Sequence, residues 1–356
     1  MTTVNEVVPV MDTAIGFPPM TTAVFIVLAL AAFFLDLFSH RKDKPISLTS
    51  ASLWSVFWIF ISLVFAGFLY QTHGSEMASL FLTGYTLEKV LSVDNLFVFM
   101  AIFAWFKIPQ NLRHRVLFWG IVGAVVFRMI FVAIGTGLLA FGPWVEIAFA
   151  AIVIWTAVMM LKSGGDDADE EEDYTNHFAN RVARKLFPTW PHLHGNRFFL
   201  TRPEVEAELK KPENKGVSIP AKGFYFATPL FLCVCVVEVS DVLFAFDSVP
   251  AVIAVSREPL IVYAAMIFAI LGLRNMYFVL EALKQYLVHL EKAVIVLLFF
   301  IGGKLALNAT NHIFNHGYGV SPNTSLLIVL AVLTVGIIAS VMFPNKKDTD
   351  SNTETV

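Results

Sequence analysis

Residues 238–251 read EVSDVLFAFDSVPA and place three carboxylates, those of Glu238, Asp241 and Asp247, within one long apolar run. The residues before this stretch are TPLFLCVCVV and the residues after it are VIAV, a composition typical of a membrane-spanning helix. An aspartate at the centre of such a helix costs about 2.5–3.5 kcal/mol on insertion. Acids in this setting therefore indicate either a functional site or a buried ion pair.

The composition of the whole chain is that of a polytopic membrane protein. Of its 356 residues, 57% are hydrophobic and 15% are charged, whereas a soluble domain carries about 25% charged residues. The formal net charge of −3 provides no basic excess for binding nucleic acid. The two cysteines, Cys233 and Cys235, lie inside an apolar run, and we expect packed thiols rather than a disulfide or a zinc site.

Nine segments are long and apolar enough to cross the hydrocarbon core, which takes about 20 helical residues. These predicted spans are residues 20–38, 52–71, 78–104, 116–140, 143–161, 224–254, 259–281, 291–308 and 324–343. Connections that contain Lys and Arg alternate with connections nearly free of them; the basic ones are 39–51, 105–115, 282–292 and the C-terminal tail. By the positive-inside rule, the N-terminus lies outside and the C-terminus in the cytoplasm.

The predicted spans divide the chain into four parts. These are residues 1–161 with spans 1–5, a cytoplasmic connection 162–222, residues 223–343 with spans 6–9, and a cytoplasmic tail 344–356. The connection opens with SGGDDADEEEDY, an acidic run that predicts a solvated linker, with a docking or cation-collecting segment as the alternative. After it, NHFANRVARKLFPTW and RPEVEAELKK predict short ordered pieces that could contact a soluble partner.

A charged triplet of Asp, Arg and Glu occurs twice along the chain. The first copy is Asp94, Arg128 and Glu146, and the second is Asp241, Arg274 and Glu291. The Asp–Arg intervals are 34 and 33 residues, and the Arg–Glu intervals are 18 and 17 residues. Each copy covers three predicted spans, spans 3–5 and 6–8, which enter the membrane from opposite sides. An inverted repeat of three helices is typical of transporters that bind substrate at the midplane; chance similarity between apolar helices is the alternative.

Oxygen-bearing side chains are predicted to line the centres of spans 3 and 6. The predicted metal-site residues are Glu88, Asp94, Asn95, Glu238, Asp241 and Asp247, with Ser248 as a further candidate ligand. Glu88 and Asn95 are two helical turns apart on one face, and Glu238 and Asp241 are one turn apart. Pro250 cannot donate its backbone hydrogen bond, so a carbonyl in the preceding turn is freed. Oxygen ligands without His or thiolate suit Mn, Ca or Mg.

The structural alternative is that these acids only neutralise buried bases. Arg128, Arg274 and Lys304 also lie within predicted spans, and intramembrane acids commonly pair with such groups. A mixed outcome is a further alternative, in which Arg128 and Arg274 pair with some of the acids and leave others for an ion.

The stretches EKVLSVDNLFVF (88–99) and EVSDVLFAFDSVPA (238–251) resemble the two signature stretches of the TerC family, which is linked to tellurium-ion resistance and has the Alx manganese exporters as relatives. The resemblance covers all nine predicted spans. It implies a multi-pass protein of the bacterial inner (plasma) membrane with a divalent-cation site at the six predicted metal-site residues. It also implies a cytoplasmic partner like the soluble acidic protein TerB.

Four functions are compatible with such a chain. Export of a manganese-like divalent cation is the leading hypothesis, with protons replacing the ion on the return step. The second is a metal-sensing membrane anchor that recruits soluble partners through residues 162–222. An intramembrane aspartyl protease is disfavoured because neither LSVD nor EVSD provides a Gly-x-Gly-Asp motif, so we expect no enzyme. Direct export of tellurite is disfavoured because acids outnumber bases near both motifs.

The oligomeric state is a separate question. The sequence leaves open whether the protein forms a homodimer.

Overall fold

The computed structural model describes residues 17–39, 47–163, 178–214, 223–283 and 290–342. Within these ranges the chain forms eleven α-helices and one two-stranded sheet. The helices are α1 (Pro19–Ser39), α2 (Leu48–Trp105), α3 (Gln110–Leu138), α4 (Pro143–Ser163), α5 (Phe178–Leu186), α6 (Arg202–Leu209), α7 (Pro229–Val255), α8 (Pro259–Ile270), α9 (Leu273–Leu283), α10 (Leu290–Phe314) and α11 (Pro322–Met342). The strands are β1 (Phe199–Thr201) and β2 (Tyr225–Ala227). The acidic run 166–173 and the tail 344–356 lie outside the described residues.

Seven of the described helices are long and apolar enough to cross a membrane, or eight if α8 and α9 count as one bent span. The chain is therefore an α-helical polytopic membrane protein. Helix α2 contains two of the predicted spans, because its 58 residues include a break at Gly74, where φ is +85° and ψ is 179°. As one straight helix, α2 would extend about 87 Å, far more than the hydrocarbon thickness of about 30 Å.

The predicted span at 259–281 consists of two helices in the structure, α8 and α9, bent by 53°. The break falls at Gly272, whose φ of +77° lies in the left-handed region that favours glycine. Two carbonyls freed at the break, those of Ala269 and Leu271, accept hydrogen bonds from Lys89 Nζ at 2.9 and 3.0 Å. The break is thus held by the half-buried side chain of Lys89 in α2.

Replacing Gly272 with alanine is expected to lower the free energy of unfolding by about 2–4 kcal/mol. The positive φ disfavours any side chain, and a Cβ atom there would overlap the indole of Trp58, so that both backbone strain and overpacking contribute. Thermal melting in detergent measures the effect. Gly303→Ala is the matched control, because a Cβ at Gly303 in α10 meets nothing within 4 Å; equal melting of the two variants would contradict the interpretation.

A small folded insert separates α4 from α7. Strand β1 pairs antiparallel with β2, with Phe199 opposite Ala227, and Trp190, Leu200, Val205 and Phe226 form a separate core cluster. The two strands were not predicted, and because β2 occupies residues 225–227, span 6 begins at Pro229 rather than at 224.

Helix α6 of this insert begins with a capping box. The backbone N–H of Thr201 donates to Glu204 at 2.8 Å and, together with the Thr201 hydroxyl, lowers the pKa of that carboxyl. The reciprocal bonds satisfy groups that a helix start leaves without partners.

The long helices pack in a reciprocal pattern. Helix α3 packs along α7, α2 packs along α8 and α9, and α4 packs along α10. Helix α1 lies against α8, whereas α11 lies against α2 and α10. This arrangement brings the middles of α2, α3 and α7 together, and these three segments carry most of the charged residues that the sequence analysis singled out.

Candidate functional site

Arg128 of α3 lies between acids from two neighbouring helices. Its Nη1 contacts Oε1 of Glu88 in α2, while its Nη2 and Nε donate to Oδ1 and Oδ2 of Asp241 in α7 at 3.0 and 3.4 Å. The three residues are 2%, 0% and 5% exposed, respectively. The planar guanidinium suits this task, because it stays charged when buried and can engage a carboxylate through two donors. One side chain therefore joins three helices at the level of their midpoints.

Glu238 lies one turn before Asp241 on α7 and packs against a glycine of α3. A Cβ atom at Gly123 would overlap the Glu238 carboxylate, so the glycine provides the space in which that carboxylate lies. Glu238 Oε2 is buried and has no hydrogen-bond partner among the described residues. Glu238 and Asp241 are close enough for their like charges to repel. Gly123 therefore makes room for the Glu238 carboxylate, and neither Gly123 nor Asp241 supplies a positive charge to balance it.

The charges in this cluster do not balance. Glu88, Asp241 and Glu238 supply three carboxylates, and Arg128 is the base that contacts two of them. If all four groups are ionised, two formal negative charges remain among groups that are buried or, for Glu238, half-buried. In the part of the chain that the structure describes, no ion pair joins Glu238 to a base. Buried charge without a partner is costly, so two protons or a divalent cation would relieve the cluster.

The other predicted ligands are Asp94, Asn95, Asp247 and Ser248, and the structure describes the side chains of three of them. Asp94 is half-buried on α2, and the neighbouring Asn95 is 8% exposed, with an Nδ2 atom that has no partner among the described residues. Ser248 is buried on α7, whereas the side chain of Asp247 lies outside the described residues. Over the described ranges, no three or more His, Cys, Asp or Glu side chains are close enough together to hold a metal ion.

A second buried charge cluster was only partly foreseen. Arg274 of α9, predicted as a charge partner of the site, contacts Asp36 of α1, with Nη2 and Oδ2 3.3 Å apart and a further hydrogen bond to the Asp36 carbonyl. Asp36 was not singled out, although a carboxylate inside the predicted span 20–38 is a usable signal. Lys89, a base inside the predicted span 78–104, binds the carbonyls at the α8–α9 break. This cluster fixes α1 and α2 against the bent span.

Comparison with known proteins agrees with these features. The chain matches the integral membrane protein TerC family over residues 73–348. The tellurium resistance protein TerC of Serratia marcescens is 67% identical over 341 residues, which are 95% of this chain and 98% of that protein. The protein of the same name from an Alcaligenes species is 66% identical, covering 96% of this chain and 99% of its own length.

More distant relatives also match. An Alx protein of Photorhabdus laumondii is 34% identical over 94% of this chain and 98% of its own length. No solved structure matches the chain. The family predicted from the two motifs is confirmed by the extent of these matches. The chain belongs to the TerC family of integral membrane proteins.

Proposed function

We propose that the chain exports a divalent cation of the manganese type through the buried acidic cluster, and that this activity underlies the tellurium resistance for which its relatives are named. The observation that carries the proposal is the charge imbalance: the buried Glu88 and Asp241 both contact Arg128, and the half-buried Glu238, with a buried Oε2, lies one turn from Asp241 without a base of its own among the described residues. A single divalent cation would neutralise the two remaining charges. The predicted ligands Asp94, Asn95 and Asp247 would complete an oxygen-only site, together with the hydroxyl of Ser248.

In this proposal Arg128 acts as a resident counter-cation. It holds Glu88 and Asp241 between its nitrogens in the described state, and an incoming ion would compete with it for the same oxygens. Release of the ion would return both carboxylates to the guanidinium, so the site would not be left with unbalanced charge. Carboxylates can also be neutralised by protons, and two protons per divalent ion would keep the charge constant on the return step.

The packing of the helices supports an inverted repeat. If the units are the second half of α2 with α3 and α4, and α7 with α8–α9 and α10, then the first helix of each unit packs on the middle element of the other, and the third helices pack on each other. This reciprocity is what a two-fold axis requires. We therefore propose nine crossings, with α2 crossing twice around Gly74, an outer N-terminus and a cytoplasmic C-terminus in a bacterial inner membrane.

The double variant Asp94→Asn with Asp241→Asn tests the transport proposal. We expect manganese flux into reconstituted vesicles that contain a quenchable dye to fall to the level of empty vesicles, because each half of the site loses a carboxylate. Glu291→Gln is the control, since Glu291 is an exposed acid in the first turn of α10, and it should retain flux. Flux in the double variant that equals flux in the unmodified protein would refute the proposal.

The folded insert favours a second candidate function, recruitment of a soluble partner. Helix α5 exposes Phe178 and Leu186, both 69% exposed, beside the basic residues Arg181, Arg184 and Lys185. This surface has the chemistry to bind an acidic protein such as the TerB-like partner that the family resemblance implies.

Replacing Phe178 and Leu186 together by serine tests the recruitment. We expect the variant to lose capture of a TerB-like acidic protein while manganese flux is retained, because the changed face lies outside the membrane-spanning helices. Phe224→Ser, at another exposed aromatic residue of the same insert (62% exposed), is the control. Full capture by the double variant would remove this candidate.

A further inference from the structure

A polar cavity of about 290 Å³ lies at the end of the bundle where α7 gives way to α8 and α11 begins, away from the acidic cluster. Its lining includes Lys304, Leu305 and Asn308 of α10, together with the first residue of α11, Pro322. By volume the cavity could hold about ten waters. It is therefore large enough for a small hydrated ligand.

Lys304 is the unexplained group in this cavity. Its side chain lines the space although the residue is only 5% exposed, and within the described residues its ammonium forms no hydrogen bond or ion pair. A buried ammonium without a partner is costly. Since Lys304 is neither at the level of Arg128 nor in contact with it, the proposed cation site does not account for it.

The other polar groups around the cavity are mostly donors or already paired. Asn308 lies one helical turn from Lys304 on the same face of α10. Glu146 is neutralised by Arg257 at 2.6 Å and approached by His312 at 3.6 Å, so it leaves little net negative charge inside.

Helix ends also contribute to the potential in the cavity. Helices α4, α8 and α11 start at its wall, whereas α3 and α7 end there, and helix starts favour negative ligands. Two further carboxylates, Glu76 and Glu258, lie exposed at the rim, where water screens their charge.

We propose that this cavity binds a small inorganic oxyanion on the Lys304 ammonium and the Asn308 amide. A tetrahedral or trigonal oxyanion offers several acceptors to the two donors, whereas a metal cation would meet the unpaired ammonium. The site lies in the second half of α10 and uses none of the residues of the acidic cluster. It would therefore bind its ligand whether or not the acidic cluster transports cations.

Calorimetric titration of the full chain in detergent with sodium sulfate, and separately with inorganic phosphate, tests the proposal at constant ionic strength. We expect saturable binding of at least one of these probes. Lys304→Met and Asn308→Leu should each weaken it by about tenfold or more, because each removes a donor to a charged acceptor. Glu76→Gln should preserve or strengthen it, because a rim acid competes for Lys304.

Three results would overturn the proposal. The first is the absence of saturable binding of both probes to the unmodified chain. The second is unchanged binding in Lys304→Met. The third is unchanged binding in Asn308→Leu, which remains informative if the lysine variant fails to fold. Manganese flux measured on the same variants separates this site from the acidic cluster, because neither substitution is expected to reduce it.

Discussion

Replacing Arg128 with methionine is expected to lower the free energy of unfolding by about 3–5 kcal/mol in a metal-free buffer, the usual cost of leaving buried charge without its partner. The methionine retains the length of the side chain but removes the guanidinium that joins Glu88 to Asp241. The buried carboxylates of Glu88 and Asp241 then lose the cation that they share, with the half-buried Glu238 one turn from Asp241. Thermal melting in detergent with a chelator measures the loss.

The same variant should become dependent on divalent cations for its stability. With Arg128 absent, an ion faces no competing guanidinium, and at 100 times its dissociation constant it would recover about 2.7 kcal/mol. We expect manganese to raise the melting temperature of Arg128→Met more than that of the unmodified protein. A uniform response to manganese in both proteins would contradict the role of Arg128 as counter-cation.

A triple variant separates charge from packing. Glu88→Gln and Asp241→Asn, added to Arg128→Met, remove all three charges while keeping similar volumes. Because replacing a whole buried ion pair is often neutral, we expect stability to return near that of the unmodified protein, without a response to manganese. A triple variant as unstable as Arg128→Met would show that shape, rather than charge, determines the loss.

Glu238→Gln is expected to reduce manganese flux by about 10–100-fold, the range found when a group that supports a metal ion is removed. The same substitution should not destabilise the protein, although it reduces flux. Glu238 Oε2 is buried without a partner among the described residues, so losing the charge should leave the free energy of unfolding unchanged or raise it by about 1 kcal/mol. Flux in vesicles and melting in detergent give the two readouts. A variant with full flux would remove Glu238 from the site.

Gly123→Ala tests the same carboxylate without changing it. The added Cβ would overlap the Glu238 carboxylate, which must turn away, and we expect flux to fall while folding is retained, because the long side chain can move. Gly137→Ala is the control on the same helix, since a Cβ there meets nothing within 4 Å. Equal flux in the two glycine variants would mean that the position of Glu238 is unimportant.

The sequence shows which residues belong to the central charge cluster, but it does not show which of them contact one another. Glu88, Arg128 and Asp241 could be named because charge inside an apolar span is costly and seldom accidental. The repeat associates Arg128 with Asp94 and Glu146, which are its neighbours in the triplet. The structure instead places Arg128 on Glu88 and Asp241, because a contact across helices depends on packing that spacing along one chain does not encode.

The bend and the hairpin were missed for different reasons. Residues 259–273 carry no charged residue, so hydropathy gives no sign that Gly272 adopts a positive φ or that Lys89, far away in sequence, satisfies the carbonyls there. Strands β1 and β2 have three residues each, which is too short for an alternating pattern to be recognised.

Two adjacent residues of α2 have separate attachments. Glu88 is attached to Arg128, and Lys89 is attached to the carbonyls of Ala269 and Leu271. Because a single rigid helical turn carries both, rotating or sliding α2 far enough to detach Glu88 must also pull on the elbow between α8 and α9. Detachment of Glu88 from Arg128 is therefore mechanically coupled to a change in the bend between α8 and α9.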